Sequence, residues 1–299
     1  MLETKYIWMD GKLVPWKDAR IHVITHSLHY GSAVFEGIRF YDTEIGPAIF
    51  RLEDHTNRLI NSADSIKMQI PFNAEEINSA VIETVKANEL KNGYIRPLAY
   101  YGYGKMGLRP EGAPVNLSIA VWHWDNYLGT ESVNVKTSSF MRFHPKSSIT
   151  TSKIAGNYVN SIFASAEATS EGYDEALLLD YEGKVAEGPG ENIFIVSNGH
   201  LFTPPPGNIL TGITRDSVMT IAEDLGIRVE EKPLTLDEIY DADEAFFTGT
   251  AAEIAPIKSL DDHALKNSLG PVTEKIRGSF FNIVNGKDDK YKSWLTVVQ

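Results

Sequence analysis

The segment Arg51–Lys67 constrains the fold more than any other stretch, because its apolar residues recur at the spacing of one helical face. Charged and amide side chains fill the other positions. The preceding residues Ala48-Ile49-Phe50 are strand-like. The pattern therefore predicts an amphipathic helix that directly follows a strand. The apolar residues of its face are Leu52, Leu59, Ile60, Ala63 and Ile66.

Strand signals lie on both sides of this helix. An Asp10-Gly11 pair between apolar flanks predicts a β-hairpin near the start of the chain. Residues Tyr94–Tyr101 alternate as a strand does, so Tyr94 and Arg96 project from the same face. Residues Leu117–Trp122 predict a buried strand.

Two further helices carry recognisable boundaries. Asn73 followed by Glu76 resembles a capping box, and the helix it opens is expected to end near Gly93. Residues Asn157–Glu171 form a second helical pattern, with Val159, Ile162, Phe163 and Ala166 at its apolar positions.

Composition limits the possible classes of protein. With 299 residues, 42% hydrophobic and 23% charged, the chain is long enough for a large core, divided between two domains. We expect a small N-terminal domain over residues 1–122, an interdomain loop over 123–132 and a larger domain over 133–299. A net charge of −12 argues against general nucleic-acid binding, because phosphates would be repelled.

Compartment and cysteine chemistry are also limited by the sequence. The chain contains no cysteine, which excludes disulfides, thiolate metal sites and cysteine nucleophiles. Charged residues interrupt the first ten positions, and no apolar run reaches 18 residues. We therefore expect a cytoplasmic protein that does not bind membranes.

The most suggestive chemical feature is Lys153, which lies in the run Thr150–Tyr158 of small and hydroxylated residues, immediately before a helix. A lysine at such a junction has the chemistry to attack a carbonyl or to hold a Schiff base. A solvated loop lysine is the alternative explanation, and the sequence around Lys153 does not decide between them.

Other candidate groups are spread along the chain. Glu187 lies in a run rich in glycine and proline, which lets a ligand approach its backbone closely. Ile213 and Thr214 open a helix whose N-terminus suits a phosphate, and Thr250 lies in a turn of small residues.

Three histidines, His22, His26 and His29, lie within eight residues and raise the hypothesis of a metal site. No paired metal motif such as H-E-x-x-H accompanies them. Packing and local hydrogen bonds are the alternative explanation, and no metal is expected.

Taken in order, these pieces resemble the fold-type IV (class IV) aminotransferases, most closely the branched-chain amino-acid aminotransferases, over nearly the whole chain. The resemblance implies an α+β fold of two domains, a smaller N-terminal α/β sandwich-like domain and a larger C-terminal pseudo-barrel domain. The motifs that carry it are His29-Tyr30-Gly31, Val34-Phe35-Glu36-Gly37-Ile38-Arg39, Tyr94-Ile95-Arg96-Pro97, Lys153 to Tyr158, Glu187-Gly188-Pro189-Gly190-Glu191-Asn192, Gly212-Ile213-Thr214-Arg215-Asp216 and Gly249-Thr250-Ala251-Ala252-Glu253.

The resemblance implies a cofactor, pyridoxal 5′-phosphate, and a role for each residue around it. Lys153 is the catalytic residue: it holds the cofactor as a Schiff base and then moves the proton at the substrate Cα. Glu187 pairs with the pyridine nitrogen and Tyr158 with the ring oxygen. The phosphate is bound by Arg51, Ile213, Thr214 and Thr250.

The resemblance further implies that the amino group passes between L-leucine, L-isoleucine or L-valine and 2-oxoglutarate, through pyridoxamine phosphate. Arg96 receives the distal carboxylate of the acidic substrate, and Thr250 with Ala251 binds the α-carboxylate. A neighbouring subunit supplies further lining residues, so a homodimer is the smallest working unit, and dimers of dimers or a hexamer are compatible with it. The side-chain pocket is lined by Phe35, Tyr94, Trp124 and Tyr127, with Tyr30, Met106 and Leu108 from the neighbouring subunit.

Three alternatives stay open. D-amino-acid aminotransferases share the fold, and the Tyr94-x-Arg96 pair favours the branched-chain substrates over them. Aminodeoxychorismate lyase is a more distant possibility in the same family, and a non-catalytic phosphate-ligand binding protein represents a different class. One departure from the expected pattern is Arg109, a cation in the glycine-rich loop that is expected to extend the substrate range towards acids.

Overall fold

The computed structural model describes residues 3–124, 128 and 132–298. In chain order, the strands are β1 (Tyr6–Met9), β2 (Lys12–Pro15), β3 (Ala33–Phe35), β4 (Ile38–Thr43), β5 (Gly46–Phe50), β6 (Gly93–Tyr101), β7 (Val115–Trp122), β8 (Val133–Thr137), β9 (Glu175–Leu179), β10 (Val185–Glu187), β11 (Asn192–Ser197), β12 (His200–Thr203), β13 (Val229–Glu231), β14 (Glu244–Gly249), β15 (Glu253–Leu260), β16 (His263–Ala264) and β17 (Leu295–Val297). The helices are α1 (His26–Tyr30), α2 (Leu52–Ser65), α3 (Ala74–Asn88), α4 (Tyr158–Ser170), α5 (Ile213–Asp224), α6 (Leu236–Tyr240) and α7 (Pro271–Val284). Among these described helices, none has the length and apolar character required to cross a bilayer.

The chain forms two compact units, which are described separately. The first comprises Met1–Asp125, Ser152–Asn157 and Ile283–Gln299, and the second comprises Asn126–Thr151 and Tyr158–Asn282. The first unit thus takes in two segments that the sequence analysis assigned to the 133–299 domain. Long-range strand pairing explains the difference, because β17 pairs with β5 and Ile154 forms a bridge with Val34.

The first unit is built on a sheet in the order β17-β5-β4-β6-β7-β1-β2, with β3 also paired to β6. Its core lies between this sheet and the apolar faces of α2 and α3. Leu52, Leu59 and Ala63 of the predicted helical face are buried, and Ile60 and Ile66 pack against the core from partly buried positions. The amphipathic helix predicted from Arg51–Lys67 is confirmed.

The structure confirms two local predictions in this unit, the first hairpin and the capping box. Met9 pairs with Lys12 across the first hairpin, and Asp10 and Gly11 both have positive φ, 47° and 96°. Asn73 and Glu76 form both bonds of the capping box. The helix ends at Asn88, earlier than expected, because Glu89 adopts a left-handed conformation and Gly93 already belongs to β6.

The second unit contains a sheet in the order β10-β9-β8-β15-β14-β11-β12-β13, with β16 paired to β15. Most neighbours are antiparallel, whereas β8 runs parallel to both β9 and β15 and β12 runs parallel to β13. Apolar side chains from β8, β11, β14 and β15 form the core of this unit. The ends of its strands and the start of α5 carry the groups discussed below.

Helix α4 packs through its small side chains. Ser161, Ala164 and Ala168 are buried, and Ala164 and Ala168 cluster with residues of β9. The larger apolar residues Ile162 and Phe163 are 63% and 51% exposed. The apolar stripe read from the sequence therefore faces away from the core of the second unit.

Candidate active site

The backbone around Lys153 is held at several points within the first unit. The Lys153 amide donates to Ser62 Oγ over 3.1 Å, and the Lys153 carbonyl accepts from the Phe35 amide over 3.2 Å. Ile154 forms an antiparallel bridge with Val34. The backbone of the lysine is therefore fixed against β3 and the buried Ser62 of α2, and its side chain is half-buried.

Two glycines permit this arrangement. Gly31 has a φ of 62°, and the Gly156 amide donates to its carbonyl over 3.1 Å. A Cβ on Gly31 would lie 2.7 Å from the Gly156 Cα. Because the backbones of Gly31 and Gly156 are in contact, a larger residue at position 31 would prevent this close approach.

An aromatic cage surrounds Arg96 on one face of the first sheet. Tyr94 lies opposite Trp122 in the β6–β7 register, and Arg96 lies two residues after Tyr94 on the same face. The Arg96 guanidinium carbon lies 4.8 Å from the ring centroid of Phe35, 5.4 Å from that of Tyr94 and 5.7 Å from that of Trp122. The ring of Trp124 lies 4.5 Å from that of Tyr94. Four predicted pocket residues, Phe35, Tyr94, Arg96 and Trp124, are thereby brought together.

Phe35 links this cage to the lysine. The Lys153 Nζ lies 5.0 Å from the centroid of the Phe35 ring, and the Arg96 guanidinium carbon lies 4.8 Å from the same centroid. Within the described residues, the buried Arg96 Nε has no hydrogen-bond acceptor. A buried donor without an acceptor is unfavourable, so this nitrogen suits an incoming acceptor such as a carboxylate.

A buried ionic network lies beside the lysine segment, and the sequence analysis missed it. Glu36 is fully buried and accepts hydrogen bonds from Arg58 Nε at 2.6 Å, Arg58 Nη2 at 2.9 Å and His55 Nδ1 at 2.7 Å. His55, Arg58 and Ser62 recur at helical spacing on α2, which was the available signal. The sequence analysis noted only that charged and amide side chains fill the face opposite the apolar one.

Electrostatics fix the charge states in this network. Burial by itself would raise the pKa of the Glu36 carboxyl, but the charge and hydrogen bonds of Arg58, together with the hydrogen bond from His55, hold that pKa well below 4.5. Burial lowers the pKa of His55, and the charges of Arg58 and Lys153 lower it further, against the opposing effect of Glu36. Glu36 is therefore an anion and His55 a neutral donor at neutral pH.

Arg51, the predicted phosphate ligand, lies at the start of α2 with a left-handed φ of 51°. Its Nε donates to Asp54 Oδ2 over 2.6 Å, and its guanidinium carbon lies 5.0 Å from the Trp294 ring centroid. Arg58 is two turns further along the helix, in the network that adjoins the Lys153 segment.

In the second unit, Glu187 ends β10 as a buried carboxylate. Its oxygens accept from the Leu210 amide at 3.1 and 3.3 Å and from Asn192 Nδ2 at 3.2 Å, and Arg142 Nε lies 2.5 Å from Oε1. The hydrogen bonds from Leu210 and Asn192 and the ion pair with Arg142 favour a carboxylate anion, so Glu187 is suited to pair with a cationic ring nitrogen.

Asn192, to which the sequence analysis gave no role, connects this glutamate to the start of α5. Its Nδ2 also donates to the Leu210 carbonyl over 2.8 Å. A Cβ on Gly212 would lie 2.1 Å from Asn192 Oδ1, so Gly212 leaves the space that the amide occupies. Ile213 and Thr214, the predicted phosphate ligands, are buried in the first turn that follows.

The remaining predicted residues are half-buried or exposed within their units. Tyr158 begins α4, and Thr250 and Ala251 follow β14, all three half-buried. Tyr30, Met106, Leu108 and Arg109 are exposed in the first unit, with Leu108 at 86%. Tyr127 lies outside the described residues.

The three histidines contact groups of the first unit. The His26 ring nitrogens lie 2.7 Å from Ser32 Oγ and 2.8 Å from the Gly107 carbonyl oxygen. His29 Nε2 lies 3.0 Å from the Val23 carbonyl oxygen, and the His22 ring lies 4.5 Å from that of Tyr103. His22 and His26 therefore hold the glycine-rich loop after β6.

Comparison with known proteins assigns the family. The family "Amino-transferase class IV" matches residues 33–260. A branched-chain-amino-acid aminotransferase of Pseudomonas aeruginosa is 50% identical over 298 residues, covering 98% of this chain and 97% of that protein.

Two solved structures are similar over their full lengths. The branched-chain aminotransferase of Thermoproteus uzoniensis with norvaline has a TM-score of 0.96 at 47% identity, covering 99% of this chain and 100% of the other. The branched-chain amino acid aminotransferase of Thermobaculum terrenum, in its pyridoxal 5′-phosphate form, has a TM-score of 0.94 at 39% identity, with 100% of both chains covered. The predicted α+β fold class, the cofactor and the resemblance to branched-chain aminotransferases are confirmed. The chain therefore belongs to the class IV aminotransferases, a family of pyridoxal 5′-phosphate-dependent enzymes.

Proposed function

We propose that this chain transfers the amino group between L-leucine, L-isoleucine or L-valine and 2-oxoglutarate. The observation that carries the proposal is the arrangement around Phe35, where Lys153 Nζ and the Arg96 guanidinium approach the same ring and Arg96 Nε is buried without an acceptor among the described residues. An aromatic pocket with one cation accepts an apolar side chain against its rings and the distal carboxylate of glutamate at the cation.

Each unit holds side chains whose chemistry matches one part of the cofactor. Pyridoxal 5′-phosphate supplies an electron-withdrawing ring that stabilises negative charge at the substrate Cα. Lys153 would offer the amine that holds its aldehyde carbon, and the Glu187 carboxylate would pair with the pyridine nitrogen. Tyr158 hydrogen-bonds the ring oxygen. Once displaced by the substrate, the Lys153 amine would take the proton from the substrate Cα as a general base and, as a general acid, would deliver it to the carbon that the cofactor aldehyde supplied.

The phosphate needs donors and cations. Ile213 and Thr214 at the start of α5 and Thr250 after β14 serve this role, as the N-terminus of a helix favours an anion. Arg51 is the cation expected from the sequence, while Arg58 is a second candidate. Arg58 is favoured by its place on α2, one turn before Ser62, whose Oγ accepts the Lys153 amide hydrogen bond.

The experiment is a set of half-reactions on the cofactor-loaded enzyme. L-leucine, L-valine, L-glutamate and D-alanine are mixed separately with the enzyme, and loss of the visible absorption band is followed. We expect the L-amino acids to react and D-alanine to be much slower. Fastest reaction with D-alanine and none with L-leucine would assign the chain to the D-amino-acid aminotransferases instead.

Lys153→Ala tests the chemistry itself. We expect turnover to fall by about 10³-fold or more, because the variant lacks both the imine-forming group and the proton-transfer group. The visible band should be lost, whereas the wild-type band should be present and should disappear on borohydride treatment. Lys146→Ala, which removes an exposed lysine of the same region, is the matched control. A wild-type protein that binds phosphate compounds without forming a borohydride-sensitive link would identify a non-catalytic binding protein.

Self-association is the last part of the proposal. Tyr30, Met106 and Leu108 are exposed on the first unit and serve the pocket of a neighbouring copy, so a homodimer is the smallest active form. A larger assembly, such as a dimer of dimers or a hexamer, would be built from this dimer. The cytoplasmic location expected from the sequence stays a prediction.

A further inference from the structure

Trp122, at the end of β7, was given no role by the sequence motifs. Its ring forms part of the Arg96 cage, 5.3 Å from the ring of Tyr94 and 5.7 Å from that of Trp124. The indole Nε1 is buried, and no acceptor for it lies among residues 3–124, 128 and 132–298. Buried side-chain donors in folded proteins usually have an acceptor, so this nitrogen requires an explanation.

Two such donors occur in the same cage. Arg96 Nε is also buried without an acceptor in the described part of the chain, and the Arg96 guanidinium carbon lies 5.7 Å from the Trp122 ring centroid. Both side chains rise from one face of the sheet, because Trp122 is opposite Tyr94 and Arg96 follows two residues later. The cage therefore presents a charged donor and a neutral donor close together.

The chemistry of these donors restricts what they bind. An indole N–H and a guanidinium can donate hydrogen bonds but cannot accept them. A carboxylate matches them, since it has two oxygens with several lone pairs and a charge opposite to that of Arg96. The indole differs from a second cation because it is uncharged, so the cage keeps an apolar wall for an aliphatic side chain when no carboxylate is bound.

We propose that Trp122 is a specificity-determining residue whose indole N–H binds, together with Arg96, the distal carboxylate of the dicarboxylic substrate. This inference rests on the proposed function and adds to it a second donor that separates acidic from aliphatic substrates. Trp122 thereby favours glutamate and 2-oxoglutarate without contributing a polar contact to leucine.

The test compares two unreactive ligands on the cofactor-loaded enzyme by calorimetry. Glutarate carries the distal carboxylate, and 4-methylvalerate replaces that group with a branched aliphatic end. We expect Trp122→Phe to weaken glutarate binding by about tenfold, as befits loss of a hydrogen bond to a charged group, and to leave 4-methylvalerate within about twofold. Trp8→Phe, which removes a buried indole from the same unit at the edge of Phe72, should change neither affinity.

Kinetics give an independent readout. The ratio of kcat/KM for L-glutamate to that for L-leucine should fall by about tenfold in Trp122→Phe. Trp122→Tyr, which keeps an aromatic ring with a donor, should restore part of the ratio. Equal losses for both substrates would show a packing role and overturn the inference, as would an unchanged ratio. If the wild-type enzyme converts neither amino acid, it is the proposed function that fails.

A measurement on the wild-type protein covers the case in which the Phe variant does not fold. The chain has five tryptophans, and the indole N–H resonance absent from a Trp122→Tyr sample identifies Trp122. That resonance should shift downfield when glutarate is added and stay nearly unchanged with 4-methylvalerate. The same response to both ligands, or to neither, would contradict a hydrogen bond to the distal carboxylate.

Discussion

At the scale of single residues, Glu36 makes stability depend on pH. In the folded state its pKa is held well below 4.5, whereas in the unfolded chain it returns to an ordinary value. Between these two values the unfolded chain binds one more proton than the folded chain. Stability from Glu36 is therefore fully present above pH ~4.5 and is lost as pH falls, by about 1.4 kcal/mol per pH unit.

Glu36→Gln should remove this dependence. As pH falls from about 4.5 to 3, we expect the free energy of unfolding to decrease less steeply in the variant than in the wild type. The difference between the two slopes should be about 1.4 kcal/mol per pH unit. At pH 7 the variant should be about 3–5 kcal/mol less stable, because Arg58 loses its buried partner. Urea unfolding across this pH range measures both quantities, and Glu53→Gln on the exposed side of α2 controls for net charge. An unchanged slope would mean that folding does not lower the pKa of Glu36.

At the scale of elements, the start of α3 is fixed by a capping box between Asn73 and Glu76. The Glu76 amide donates to Asn73 Oδ1 over 3.0 Å, and the Asn73 amide donates to Glu76 Oε2 over 2.8 Å. Asn73→Ala should destabilise the protein by about 1 kcal/mol, while Asn73→Ser, which keeps an acceptor, should cost only a few tenths. Denaturant midpoints of the two variants provide the measurement. Equal losses would show that a side-chain acceptor at position 73 is not what stabilises the helix start.

Helix α4 shows the opposite case, in which periodicity alone gives an incomplete answer. A stripe of Val159, Ile162 and Phe163 reads as the buried face of an amphipathic helix. The structure buries Ser161, Ala164 and Ala168 instead, because small side chains let the helix lie close to β9. The exposed stripe is extended by Phe140, whose ring lies 5.5 Å from that of Phe163.

At the scale of the whole molecule, this exposed apolar stripe supports self-association, since contiguous apolar surface commonly marks an interface. We expect sedimentation at micromolar concentration to give a mass of at least two 33.2 kDa chains. Ile162→Glu should shift the distribution towards the single chain and lower turnover with it. Thr169→Glu adds the same charge to an exposed position at the end of α4 and should leave the mass unchanged. A wild-type protein that is fully active as a single chain would contradict the proposed dimer.

The sequence by itself determined the family and the cofactor, because these depend on short motifs in a fixed order. It also determined the hairpin at Asp10-Gly11, the cap at Asn73 and the shared face of Tyr94 and Arg96. In each case the signal is local, since turn conformation, a first-turn hydrogen bond and strand alternation involve only neighbours in the chain.

Only the tertiary structure decided which groups act together. The pairing of Glu36 with His55 and Arg58 depends on how α2 lies against β3 and β4, and the role of Asn192 depends on the close approach of Gly212. The grouping of Ser152–Asn157 with the first unit depends on a bridge between residues more than 100 positions apart. The lack of acceptors for Arg96 and Trp122 within the described residues is likewise a property of the folded surroundings, because a sequence names a donor but does not show what lies within its reach.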